Sequence, residues 1–212
     1  MKSELARNIL KGLLAVILVG GVLLLLQLFA PKTTSTPVEL QTYREVEPFE
    51  LTNQEGEALS LQDVKGKVWM ANFIFTSCAT ECPTLSMKMA AVQERLADRA
   101  DEVAFLSFSV DPQTDTPERL ATYAKNFKAQ PGWEFLTGDP KELDHLIKDS
   151  FLLPLAKDDS ERSQIEGTNF IHSNRFAVVD QAGVVRYYHD GMEADVIESV
   201  VTAMEKLLED QG

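Results

Sequence analysis

The longest apolar run comes first. No polar side chain occurs from Gly12 to Leu26, and the stretch from Ile9 to Ala30 holds 22 residues with Lys11 near its entry. A helix needs about 20 such residues to cross a hydrocarbon core, so this run predicts a membrane span. The next residues, Ala30 to Val38 (APKTTSTPV), have no apolar periodicity, and two prolines keep them extended. Further along, the pattern changes period repeatedly. Val46 to Leu51, the turn residues Asn53 to Gly56 and a second short strand read as one strand–turn–strand unit. Val68 to Phe75 is almost continuously apolar, as a strand buried on both faces would be, and Val103 to Val110 is a second such run.

Between these strands, Leu85, Met89, Val92 and Leu96 form a helical stripe within Pro83 to Arg99. Thr116-Pro117-Glu118 opens another helix, with proline in its first turn and a carboxylate near its positive end. A shorter helix is predicted from Pro140 to Asp149. Arg175 to Asp180, the turn Gln181 to Gly183, and Val184 to His189 predict a β-hairpin, and Glu193 to Glu209 a closing amphipathic helix. Strand, helix, strand, helix, then hairpin and helix is the order of an α/β thioredoxin-like domain. The predicted organisation is a cytoplasmic head and transmembrane anchor over 1–30, a flexible linker over 31–44 and the thioredoxin-like domain over 45–212.

Charge narrows the chemistry. Asp and Glu number 33 against 20 Lys and Arg, a net −13, which excludes a nucleic-acid partner because phosphates need a basic surface. Lys2, Arg7 and Lys11 precede the apolar run, which predicts an N-terminus left in the cytoplasm and an exported C-terminal part. An uncleaved anchor is favoured over a signal peptide, since Leu28 stands where a cleavage site after Ala30 prefers a small residue. The head lacks the long Arg- and Ser-rich leader of a mitochondrial import signal. A bacterial inner membrane, with the domain on its periplasmic side, fits best.

Two cysteines exclude a disulfide-rich scaffold and any four-cysteine zinc or iron–sulfur site. Cys78 and Cys82 follow the first buried strand where it hands over to a helix, a position that favours thiolates. Their spacing is C-x-x-x-C, not the C-x-x-C of thioredoxin-type enzymes, and one helical turn brings both sulfurs to the same side. A structural disulfide or plain packing is the bland alternative. His172 lies just before the hairpin, in a loop that runs beside the first helix in a thioredoxin-like fold. Two thiolates and one imidazole suit copper, Cu(I) above all, better than a structural zinc that wants four protein ligands. His145 and His189 read as structural.

The run Gly66 to Cys78 with Cys82-Pro83, Ser109-Val110-Asp111-Pro112 with Asp115-Thr116-Pro117, and Ile171-His172-Ser173 together resemble the SCO/SenC family. The resemblance covers about residues 45–208. It implies a membrane-tethered, thioredoxin-fold copper metallochaperone that serves the CuA centre of cytochrome c oxidase or prepares its cysteines. It also implies Cys78, Cys82 and His172 as copper ligands, with Asp111 near them but not a ligand. The implied partners are the oxidase subunit carrying CuA or a related copper enzyme, and a thiol reductant or copper donor. The same two cysteines can form a redox-active disulfide, so a thiol–disulfide oxidoreductase acting on a periplasmic client is the alternative, and with it an enzymatic activity.

Overall fold

The structure, a computed structural model, describes residues 42–152 and 174–210, the backbone of 156–157 and 170–171, and the isolated positions Glu4, Gly20 and Gly21. Apart from Gly20 and Gly21, the predicted membrane segment lies outside the described residues, as does most of the predicted linker. Among the described residues no helix is long and apolar enough to cross a membrane.

In chain order the elements are β1 (Arg44–Glu45), β2 (Glu50–Thr52), β3 (Ala58–Ser60), α1 (Leu61–Val64), β4 (Val68–Ile74) and α2 (Glu81–Arg95). They continue with β5 (Val103–Ser109), α3 (Pro117–Asn126), β6 (Trp133–Leu136), α4 (Pro140–Phe151), β7 (Ala156–Lys157) and β8 (Phe170–Ile171). The last are β9 (Arg175–Val179), β10 (Val184–Asp190) and α5 (Val196–Glu209). A sheet of six strands runs in the order β1-β10-β9-β4-β5-β6. Strands β4, β5 and β6 are parallel, and β9, β10 and β1 extend the sheet antiparallel from β4.

All seven residues of β4 and all seven of β5 are buried, because helices cover both faces at the sheet centre. On one face Trp69, Phe73 and Phe108 meet Phe151 of α4 in ring contacts. The other face carries Ser107, whose hydroxyl donates to Asn72 Oδ1 at 2.6 Å and accepts from Trp133 Nε1 at 2.9 Å. Helix α2 packs there, its predicted stripe of Leu85, Met89, Val92 and Leu96 fully buried, with α5 alongside.

Several elements differ from the sequence reading. The strand predicted over 46–51 is split, because Pro48 has no N–H to give and the Glu47 N–H leaves the sheet for Ser150 Oγ on α4. Only Glu50–Thr52 pairs with β3, while Arg44–Glu45 pairs with β10. The end of the predicted linker is therefore strand, and Tyr43 N donates to Val185 O just before it. Helix α2 starts at Glu81, so Cys82 lies inside its first turn and not ahead of it. Helix α4 runs on to Phe151, carried by burial of Ser150 and Phe151, and ends at Leu152 with φ 52°. The closing helix begins only at Val196, after Asp195. Strand β6 was not foreseen.

Candidate metal and redox site

Strand β4 ends at Ile74, and the chain turns at once: Cys78 N donates to Phe75 O at 3.1 Å. This turn carries Cys78 to the start of α2, where its sulfur accepts the Cys82 N–H at 3.4 Å. Cys78 Sγ thus serves one of the amides that a helix N-terminus leaves without an intrahelical partner. The Thr80 side chain makes no capping bond at that end. Pro83 sits in the first turn, where a missing N–H costs nothing. Both thiols are free, with Cys78 5% and Cys82 0% exposed.

The pair shares its protons unequally. The Cys82 thiol beside Cys78 holds the Cys78 sulfur well below the ordinary thiol range, against the opposing effect of burial. The same contact, together with burial, pushes Cys82 up. The arrangement is one thiolate and one thiol, the thiolate lying at the positive end of a 15-residue helix. Such a pair can take up a soft cation with loss of the remaining proton, or attack a disulfide.

A buried carboxylate backs the loop. Asp115 is 0% exposed and its Oδ1 accepts from Thr76 N at 3.0 Å and from Thr76 Oγ1 at 2.6 Å. Its Oδ2 accepts from Ser109 Oγ at 2.7 Å, and that hydroxyl in turn accepts the Asp111 N–H at 3.1 Å. Burial raises the Asp115 pKa, opposed by these donors. Asp111, the acid singled out from the sequence, is half-buried on the same loop and touches this network through its amide. Across from α2, Tyr123 of α3 bonds Ser86 at 2.9 Å, and burial raises its phenol.

His172 lies outside the described residues. Asn174, two residues later, accepts the Gly191 N–H at 2.7 Å, and Gly191 is packed against Leu85, three residues beyond Cys82. His145 stands on α4 with Nε2 3.0 Å from Glu47 and Nδ1 2.7 Å from Asp149. His189 has a buried Nε2 with no hydrogen-bond partner among the described residues, and burial lowers its pKa. Among the described residues no group of three or more His, Cys, Asp or Glu is arranged to hold a metal. Sequence reasoning missed Asp115 and Thr76 as parts of the site. The available signal was the second acid of the Asp111–Thr116 stretch, four residues after the first.

The pattern described as SCO1/SenC matches residues 38–209. The chain belongs to the SCO1/SenC family. It is 35% identical over 160 residues to the SCO1 protein homolog of Bacillus subtilis strain 168, covering 74% of this chain and 80% of that one. A solved structure described by a disulfide switch in BsSco, a member of the Sco family of cytochrome c oxidase assembly proteins, is 33% identical. It superposes with a TM-score of 0.68 over 80% of this chain and 95% of that chain. Bradyrhizobium japonicum ScoI with copper bound is 26% identical, with a TM-score of 0.65 over 78% of this chain and 99% of that chain. These relatives share the thioredoxin-like α/β fold described above.

Proposed function

We propose that this protein is a copper metallochaperone that carries copper to the CuA centre of cytochrome c oxidase, or to a related copper enzyme. The observation that carries the reading is the free cysteine pair at the N-terminus of α2, with Cys78 Sγ on the Cys82 amide. A thiolate and a thiol one turn apart offer the soft donors that Cu(I) prefers to oxygen ligands. The copper-bound Bradyrhizobium relative and the description of BsSco as an oxidase assembly protein support the cargo and the client. His172 is the proposed third ligand, supported by the anchoring of Asn174 beside Gly191 and Leu85. The apolar run before residue 31 is the proposed anchor in a bacterial inner membrane, with residues 45–212 exported and a reductant or copper donor as a further partner.

The test is anaerobic titration of reduced full-length protein in detergent with Cu(I) against a chromogenic competitor. One equivalent bound, and none in Cys78→Ser or Cys82→Ser, is the expected result. Full binding by both serine variants overturns the reading. The lowered Cys78 thiol favours a second reading, a thiol–disulfide oxidoreductase acting on a periplasmic client. Catalytic reduction of a disulfide-bonded protein by a form that retains no copper would replace the first reading with this one.

A further inference from the structure

Asp115 has a place in the fold that packing alone does not require. A fully buried carboxylate is costly unless its oxygens are hydrogen-bonded, and here three donors converge on it from the ends of two strands. Two of the three belong to Thr76, two residues before Cys78, and the turn from Phe75 to Cys78 starts on that residue's N-terminal side. Arg119 Nε donates to Thr76 Oγ1 at 3.3 Å, so this hydroxyl links a guanidinium on α3 to the buried carboxylate. The third donor, Ser109, passes the same anchor to the Asp111 amide. The whole connection is made in the form that holds two free thiols.

We propose that Asp115 is a positioning residue for the cysteine pair. Through the Thr76 amide and hydroxyl it fixes the turn that sets Cys78 Sγ on the Cys82 N–H, and so favours the dithiol over the disulfide. This rests on the reading of Cys78 and Cys82 as the working pair. Oxidation removes two electrons from the pair and the one proton held on Cys82, and forms the S–S bond. Glutathione disulfide, the oxidant used to measure the balance, accepts both electrons, takes that proton and one more from solvent, and splits into two glutathione molecules. Asp115 touches neither sulfur and takes no proton in this step.

The experiment equilibrates copper-free, full-length protein in detergent across a series of glutathione buffers and counts free thiols, with melting temperature measured in parallel. Asp115→Ala and Thr76→Val should each shift the dithiol–disulfide equilibrium about tenfold toward the disulfide, the scale of losing a hydrogen bond to a charged group. Asp115→Asn should stay within about threefold of the parent. Its amide oxygen can take both Thr76 donors, and its NH₂ can donate to Ser109 Oγ. An unchanged equilibrium in Thr76→Val, with or without a lower melting temperature, overturns the proposal, and this variant decides the matter if Asp115→Ala does not fold. Asp115→Asn shifting as far as Asp115→Ala also overturns it, since charge and not placement would then be responsible. Because no copper enters the measurement, a protein that binds no Cu(I) sinks the chaperone reading and leaves this result standing.

Discussion

Gly191 joins the hairpin to the cysteine helix by having no side chain. Its φ is not in the left-handed region, so its backbone is open to any residue, and space is the constraint. A Cβ built there would overlap Leu85 Cδ2 and stand 2.6 Å from the Asn174 carbonyl oxygen and 3.1 Å from Phe176 Cε2. The Leu85 methyl can rotate away, but the Asn174 carbonyl is backbone and accepts the Gly191 N–H at 2.7 Å. Lys88 Nζ also donates to Gly191 O at 2.6 Å, which holds this loop to α2 from the other side. Gly191→Ala must therefore displace either the start of β9 or the first turns of α2. Overpacking of this kind costs about 1–3 kcal/mol. At about 2–4 °C per kcal/mol for a chain of this size, the melting temperature should fall by roughly 2–12 °C. Gly138→Ala is the matched control, since its new Cβ meets only the tip of Leu51, at 2.8 Å, and should cost less. Thermal denaturation followed by circular dichroism ranks the two, and Cu(I) competition reads the effect on the site. A Gly191→Ala protein as stable as the parent, or more stable than Gly138→Ala, would refute the argument from space.

Ser107→Ala should destabilise by about 2 kcal/mol or more in urea unfolding, because it strands Trp133 Nε1 and Asn72 Oδ1 in the sheet interior; a loss below about 0.5 kcal/mol would contradict this. Burial holds His189 below its ordinary pKa, opposed by Asp195, so the unfolded chain binds its proton at a higher pH than the folded one. The resulting stability is present above about pH 6.5 and is lost as pH falls toward the folded value. His189→Gln should therefore flatten the fall in melting temperature between pH 7 and 5, and an unchanged slope would count against the assignment. Glu198→Ala removes an exposed ion pair with Arg95 and should change stability by less than about 1 kcal/mol in the same urea assay; a larger loss would show that the pair is more than a surface contact.

The parts of the fold that were legible are those whose environment repeats along the chain. Strands β4 and β5 are buried on both faces, so their apolar runs are uninterrupted, and the β9–β10 hairpin has its turn at Gly183, where φ is +88°. Strand β6 escaped notice because Glu134 breaks its four-residue run, and that carboxylate is accommodated by distant residues. Asn53 and Gln54 donate to it at 3.2 and 3.0 Å from the turn after β2. The site divides in the same way. The cysteine pair announces itself by its place after an apolar strand, whereas Asp111 and Asp115 stand in one short stretch with nothing local to rank them. Their difference arises only when β4 and β5 lie parallel with Ile74 opposite Ser109. That register brings the chain just past each strand into one place, so that Thr76 meets an acid 39 residues away. The acid it meets is Asp115, because the turn closed by Asp115 N on Asp111 O at 2.9 Å folds the second acid back under the strand ends and leaves the first nearer solvent. Ranking the two acids therefore takes a strand pairing and a turn together, and neither is written in the spacing of the motif.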